Sequence, residues 1–160
     1  MTAFLLALLG VCLLQPTLVP RLAIGGIQPD LFLVLAFALS LSVGAEMATA
    51  GGFLIGLYQD TLSGAPLGLN AFTLSLIGFL VSRLSRQLGT AQLPARFILL
   101  FLAGIVSGLI TLLVLRFFQV HRPLSVSFFW TVLPAAFYTA TLGVGLLAIP
   151  KLKTISGANW

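Results

Sequence analysis

The sequence predicts an all-α protein, a polytopic transmembrane bundle of six helices, and three observations carry that prediction. Hydrophobic residues make up 59% of the 160 and charged residues only 7%, with a mean hydropathy of +1.17. A soluble domain needs roughly a quarter charged residues to cover its surface; eight basic and three acidic side chains cannot do it, so lipid is the expected solvent. The charges also fall between long apolar runs rather than along them. Finally, runs such as Phe97–Leu102 and Leu142–Ile149 show no polar–apolar alternation, which a membrane barrel strand shows over about 10 residues. A span takes about 20 residues, so six use roughly 120 and leave short loops and tails. One transmembrane domain over residues 1–160 is expected, with no extramembrane domain.

The elements follow from the punctuation. The expected spans are approximately 2–20, 30–45, 47–60, 67–82, 97–115 and 124–149. The first is uncharged up to Arg21, holds Cys12, and has Pro16 as an expected kink. It has neither a basic leader nor a small-residue cleavage site, so it reads as a retained helix rather than a signal peptide. Gly25, Gly26 and Pro29 mark the next loop. The second run ends at Glu46 and the third, short for a span, at Asp60. Ser63, Gly64, Pro66 and Gly68 form a turn; Arg83, Arg86 and Arg96 bracket a polar linker with Gly89 and Pro94. Arg116 closes the fifth run, His121, Arg122 and Pro123 make a turn, and Pro134 is an expected kink before Lys151 and Lys153. Merging the second and third runs would bury Glu46 mid-membrane at a cost of several kcal/mol, so six spans are expected rather than five.

With an inside N-terminus, six spans place Arg83, Arg86, Arg96, Lys151 and Lys153 on the cytoplasmic side and Arg21, Arg116 and Arg122 outside. Cytoplasmic loops carry the excess of Lys and Arg, so both termini are expected inside. The net charge of +5 thus reads as orientation and headgroup contact, not as nucleic-acid binding. The single cysteine, Cys12, excludes an intrachain disulfide.

Residues for chemistry are few. No second His or Cys completes a metal shell around His121, and no His–carboxylate pair lies near the many serines and threonines, which are expected to bond back to helix carbonyls. Asp30 and Asp60 each fit as partners of Arg21 or Arg122. No catalytic, metal or cofactor site is expected, and the chain is expected not to be an enzyme.

Small residues say more. Ala48, Gly52, Gly56 and Asp60 recur every four positions and so share one face of the third helix. Such a stripe lets another helix approach closely. Gly104 with Gly108, and Ala136 with Ala140, are similar pairs. Either the bundle's own helices or a partner helix can fill these faces. Asp60 ends the first stripe, where it caps the glycine-rich turn through backbone N–H groups or pairs with a neighbouring arginine.

The stretch around that stripe resembles the MreD family of rod shape-determining proteins of the bacterial inner membrane. Gly52, Phe53, Gly56, Asp60, Ser63, Gly64, Leu67 and Gly68 fill the family's motif; Pro29 before a leucine-rich helix and Leu14-Gln15 late in the first helix also fit. Tyr58 and Gln59 stand where the family tends to be aliphatic. The resemblance implies a non-enzymatic role in the elongation machinery that controls cell shape and builds peptidoglycan along the cell cylinder. It implies MreC as direct partner, with MreB, RodA and a class B penicillin-binding transpeptidase in the wider complex. It makes Ala48, Gly52, Phe53, Gly56, Asp60, Gly64 and Gly68 a structural or partner-binding motif. The family fold is similar to the S-components of energy-coupling-factor transporters, so vitamin binding is the alternative. Tyr58, Asn70, Trp130 and Tyr138 would then face a ligand, and Ala3 and Ala7 have the spacing used in docking.

Overall fold

The computed structural model describes residues 27–63, 66–88, 93–117 and 128–148, with Gly10, Val11, Gln15 and Ala23. Among these residues there are five α-helices and no strand. They are α1 (Leu31–Ser42), α2 (Ala45–Ser63), α3 (Leu69–Leu88), α4 (Leu93–Phe117) and α5 (Leu133–Ala148), the last entered directly from a π-helical turn, Phe128–Val132. The expected first span, with Cys12 and Pro16, lies almost wholly outside the described residues. So do Arg21, Gly25, Gly26, Gly64, Gly89, the turn at His121–Pro123 and the Lys151/Lys153 tail.

The chain α1 is apolar all round, and a helix of that kind belongs in the middle of a bundle. It touches each of the other four helices, while α2 pairs with α3 and α4 with α5. Phe32, Leu33, Ala36 and Phe37 are almost wholly buried, and they meet Ile55, Leu74, Ile77, Leu100 and Ala140 in one core. The outer surface is apolar instead of charged: Leu54 is 66% exposed, Leu67 75%, Phe72 62% and Trp130 77%. Large apolar side chains on the outside over a whole helical bundle are what a lipid environment selects. Two stretches, Leu93–Val114 and Trp130–Leu147, are long and apolar enough to cross a membrane.

Helix ends depart from the apolar runs for local reasons. The helix α2 begins at Ala45, so Glu46 lies in its first turn, where a negative charge complements the positive end of the helix dipole. That lengthens the expected 47–60 run to 19 residues. At its far end α3 continues through Arg83 and Arg86 to Leu88, so the expected polar linker begins inside a helix. There the Arg83 guanidinium lies 5.3 Å from the Phe79 ring centre, and basic residues suit a helix C-terminus. Pro94 is the second residue of α4, a position that needs no N–H. Pro134, where a kink is expected, is the second residue of α5 and follows directly on the π-turn. Proline offers no N–H to the carbonyl one turn back, so the ladder is already irregular there.

Candidate functional site

The four-residue spacing of Ala48, Gly52, Gly56 and Asp60 turns these residues toward α3, and all four are buried. The two helices meet backbone to backbone. A Cβ added to Gly52 would lie 2.8 Å from the Leu74 carbonyl carbon, and one on Gly56 would lie 2.5 Å from the Ala71 Cα. From the other side, a Cβ on Gly78 would come within 3.0 Å of the Ala48 carbonyl carbon. No side chain fits in that seam, so glycine is a steric requirement on both helices. The face that the sequence offers to any close-packing helix is filled by the chain's own α3. Phe53, beside the stripe, turns outward and is 47% exposed.

A second seam joins α4 to α5. A Cβ on Gly104 would lie 2.9 Å from the Cβ of Ala136, and one on Gly108 would lie 3.0 Å from a methyl of Val132. The small residues Gly104, Gly108 and Ala136 thus face one another across two helices. On the outer side Phe97, Phe101 and Phe137 pack as a trio, with centroids 5.8 to 6.4 Å apart.

Asp60 closes the first seam. It is 2% exposed. Its Oδ2 accepts from Gly68 N at 2.9 Å and from Ala71 N at 3.2 Å, and its Oδ1 accepts from Asn70 N at 3.0 Å. A helix leaves its first N–H groups without partners; here a carboxylate from the preceding helix supplies them for α3, and its charge meets the positive end of the dipole. Gly68 makes the approach possible with φ +98°, a left-handed conformation open to glycine at little cost. Both acids of this region serve helix N-termini, since Asp30 likewise caps α1 through Leu33 N at 3.0 Å; Arg21 and Arg122, their expected partners, lie outside the described residues.

Asp30 also anchors a polar node that sequence reasoning did not assemble. Its Oδ2 accepts from Gln59 Nε2 at 3.2 Å, and its backbone N donates to Thr139 Oγ1 at 3.1 Å. Gln15 Oε1 accepts from Leu31 N at 3.1 Å while its Nε2 donates to the Pro29 carbonyl at 3.4 Å. One node therefore ties Gln15, α1, α2 and α5 together. The Pro-Asp pair before an apolar helix is a start signal that could have pointed to Asp30 as a cap, and Gln59 was legible as a polar residue in an aliphatic place. Nothing in the sequence pairs either with Thr139.

Elsewhere hydroxyls return to the backbone. Ser40, Ser42, Thr49 and Thr73 each donate to the carbonyl four residues back, at 2.6 to 2.8 Å. Tyr58 stacks edge-on against Phe32 at 6.0 Å, and Trp130 is 77% exposed. Among the described residues no three His, Cys, Asp or Glu side chains cluster.

The family described as rod shape-determining protein MreD matches residues 1–150. The chain belongs to the MreD family. The α2–α3 seam, the Asp60 cap and the Asp30 node all fall within the MreD match, as does Gln15. MreD proteins are membrane-associated shape-determining proteins, and two helices here are apolar enough to span. No curated protein and no solved structure matches the chain.

Proposed function

We propose that this chain is a non-enzymatic, multi-pass component of the bacterial cytoplasmic membrane that binds MreC and supports lateral peptidoglycan synthesis. MreB, RodA and a class B penicillin-binding transpeptidase belong to the wider assembly, and both termini face the cytoplasm. The observation that carries the reading is family membership over residues 1–150. The geometry agrees with a scaffold: the buried carboxylates cap helices, and the small-residue faces hold the bundle's own helices together. The lipid-facing surface that remains, with Leu54, Phe72 and Leu102 among its exposed side chains, is open to a single spanning helix. Association of that kind depends on van der Waals fit, because lipid tails remove the hydrophobic drive between helices. Depletion of the chain tests the reading. Cells should round up and lose incorporation of a labelled wall precursor along the cylinder, and expression of the chain should restore both. Unchanged cylindrical incorporation after full depletion would contradict it.

A further inference from the structure

We propose that the open groove between α2 and α3 seats a partner's single spanning helix, with a basic residue at that helix's cytoplasmic flank set against Glu46. The inference rests on the MreC reading above and says where on the chain that contact is made. The groove has a volume of about 590 Å³; Glu46, Thr49, Ala50, Phe53 and Leu54 line it from α2, and Ser75 and Phe79 from α3.

Its shape follows from the glycine seam. Gly52, Gly56 and Gly78 bring two antiparallel backbones into contact, which leaves one valley along the outer side of the pair. Thr49, Ala50 and Ser75 are short, while Phe53, Leu54 and Phe79 are bulky and exposed. The Thr49 hydroxyl is spent on the Ala45 carbonyl at 2.6 Å, so it asks nothing of an occupant. A valley of this make-up takes the ridge of another helix by van der Waals fit. The outer side of α4 and α5 differs, because Phe97, Phe101 and Phe137 pack on one another there.

Charge gives the groove a direction. Ser82 Oγ donates to the Val43 carbonyl at 3.1 Å, and a Cβ on Gly44 would lie 3.6 Å from the Arg86 guanidinium. The turn before α2 therefore shares an end of the bundle with Arg83 and Arg86, the cytoplasmic end on the reading above. Glu46 is exposed in the first turn of α2, beside a leaflet whose anionic lipids make its surface negative. A carboxylate there repels those headgroups. A single spanning helix carries its excess of Lys and Arg on the cytoplasmic side whichever way it runs, so one laid in the groove brings a cation to Glu46. Arg83 follows Ser75 and Phe79 at four-residue spacing and so shares their face of α3, its guanidinium 5.3 Å from the Phe79 ring centre. It makes the α3 rim the repelling side and turns the basic flank toward α2. From Glu46 to Leu54 the groove runs about 12 Å at 1.5 Å per residue, so the contact lies in the cytoplasmic half of a core about 30 Å thick.

The test uses the full chain in intact cells. A photo-crosslinking residue is placed at Ala50, in the groove, or at Leu102, exposed on α4. Ala50 should trap MreC and Leu102 should not. Glu46→Lys sets like charges against each other and should lower recovery of MreC about fivefold or more; exchanging the basic flank residue of MreC for Glu should restore it. Ala50→Leu fills the groove from an exposed position and should lower recovery as well. Abundance and melting temperature of both variants should match wild type, so that a loss of MreC reports contact and not folding; if Glu46→Lys unfolds, Ala50→Leu and the crosslinks decide. Stronger capture of MreC at Leu102 than at Ala50, capture of lipid alone at Ala50, or full recovery of MreC by either variant in folded form overturns the proposal and leaves the MreC reading standing. A wild-type chain that recovers no MreC refutes that reading, and the groove assignment with it.

Discussion

Asp60 serves three backbone N–H groups at once, which sets its tolerance to change. Asp60→Asn retains one acceptor oxygen and loses the charge and the second acceptor; a cost of about 1–2 kcal/mol is expected. Asp60→Leu strands all three N–H groups in apolar surroundings, at about 1–3 kcal/mol each. Melting temperature in detergent and abundance in membranes should therefore rank wild type, Asn and Leu in that order. Equal harm from Asn and Leu with normal abundance would mean that the charge acts in function and not in capping. Gly68 is a second sensitive position: with φ +98°, Gly68→Ala should cost about 1–2 kcal/mol, read in the same melting experiment. An unshifted melting temperature would show that the turn relaxes into another conformation.

At the scale of elements, the α2–α3 pair depends on the absence of side chains. Gly52→Leu must push apart two backbones now in contact, and overpacking of this kind costs about 1–3 kcal/mol or more. Leu54→Phe changes an exposed position and should be nearly neutral. Thermal melting of both variants checks this; a Gly52→Leu protein as stable as wild type would remove the seam from the account. Ala48, Gly52, Gly56 and Asp60 were legible as one face because four-residue spacing places them so. Which helix fills that face was not legible, since a stripe of small residues carries no address. Helix ends reach beyond the apolar runs where charged residues suit a helix terminus: Glu46 in a first turn, and Arg83 and Arg86 in the last turns of α3. The Asp30 node was missed because its members, Gln15, Gln59 and Thr139, are brought together by packing between helices far apart in sequence.

The described residues form an apolar bundle around α1, with the carboxylates of Asp30 and Asp60 used at helix starts inside it. The expected orientation rests on five basic residues against three, and exposure decides where to test it. Gln87 is exposed near the end of α3 and suits a reporter there. With Cys12 replaced, cysteines at Gln87 and Ala158 should both resist a membrane-impermeant thiol reagent in intact cells and react once the membrane is opened. Labelling of either in intact cells would contradict cytoplasmic termini. The central claim is that this bundle acts by holding a partner's helix, and recovery of that partner from native membranes tests it most directly. Affinity purification of the full chain under mild detergent should bring down MreC in reproducible proportion to the chain. A well-folded, abundant chain that recovers no MreC, even after crosslinking in intact cells, would contradict the account.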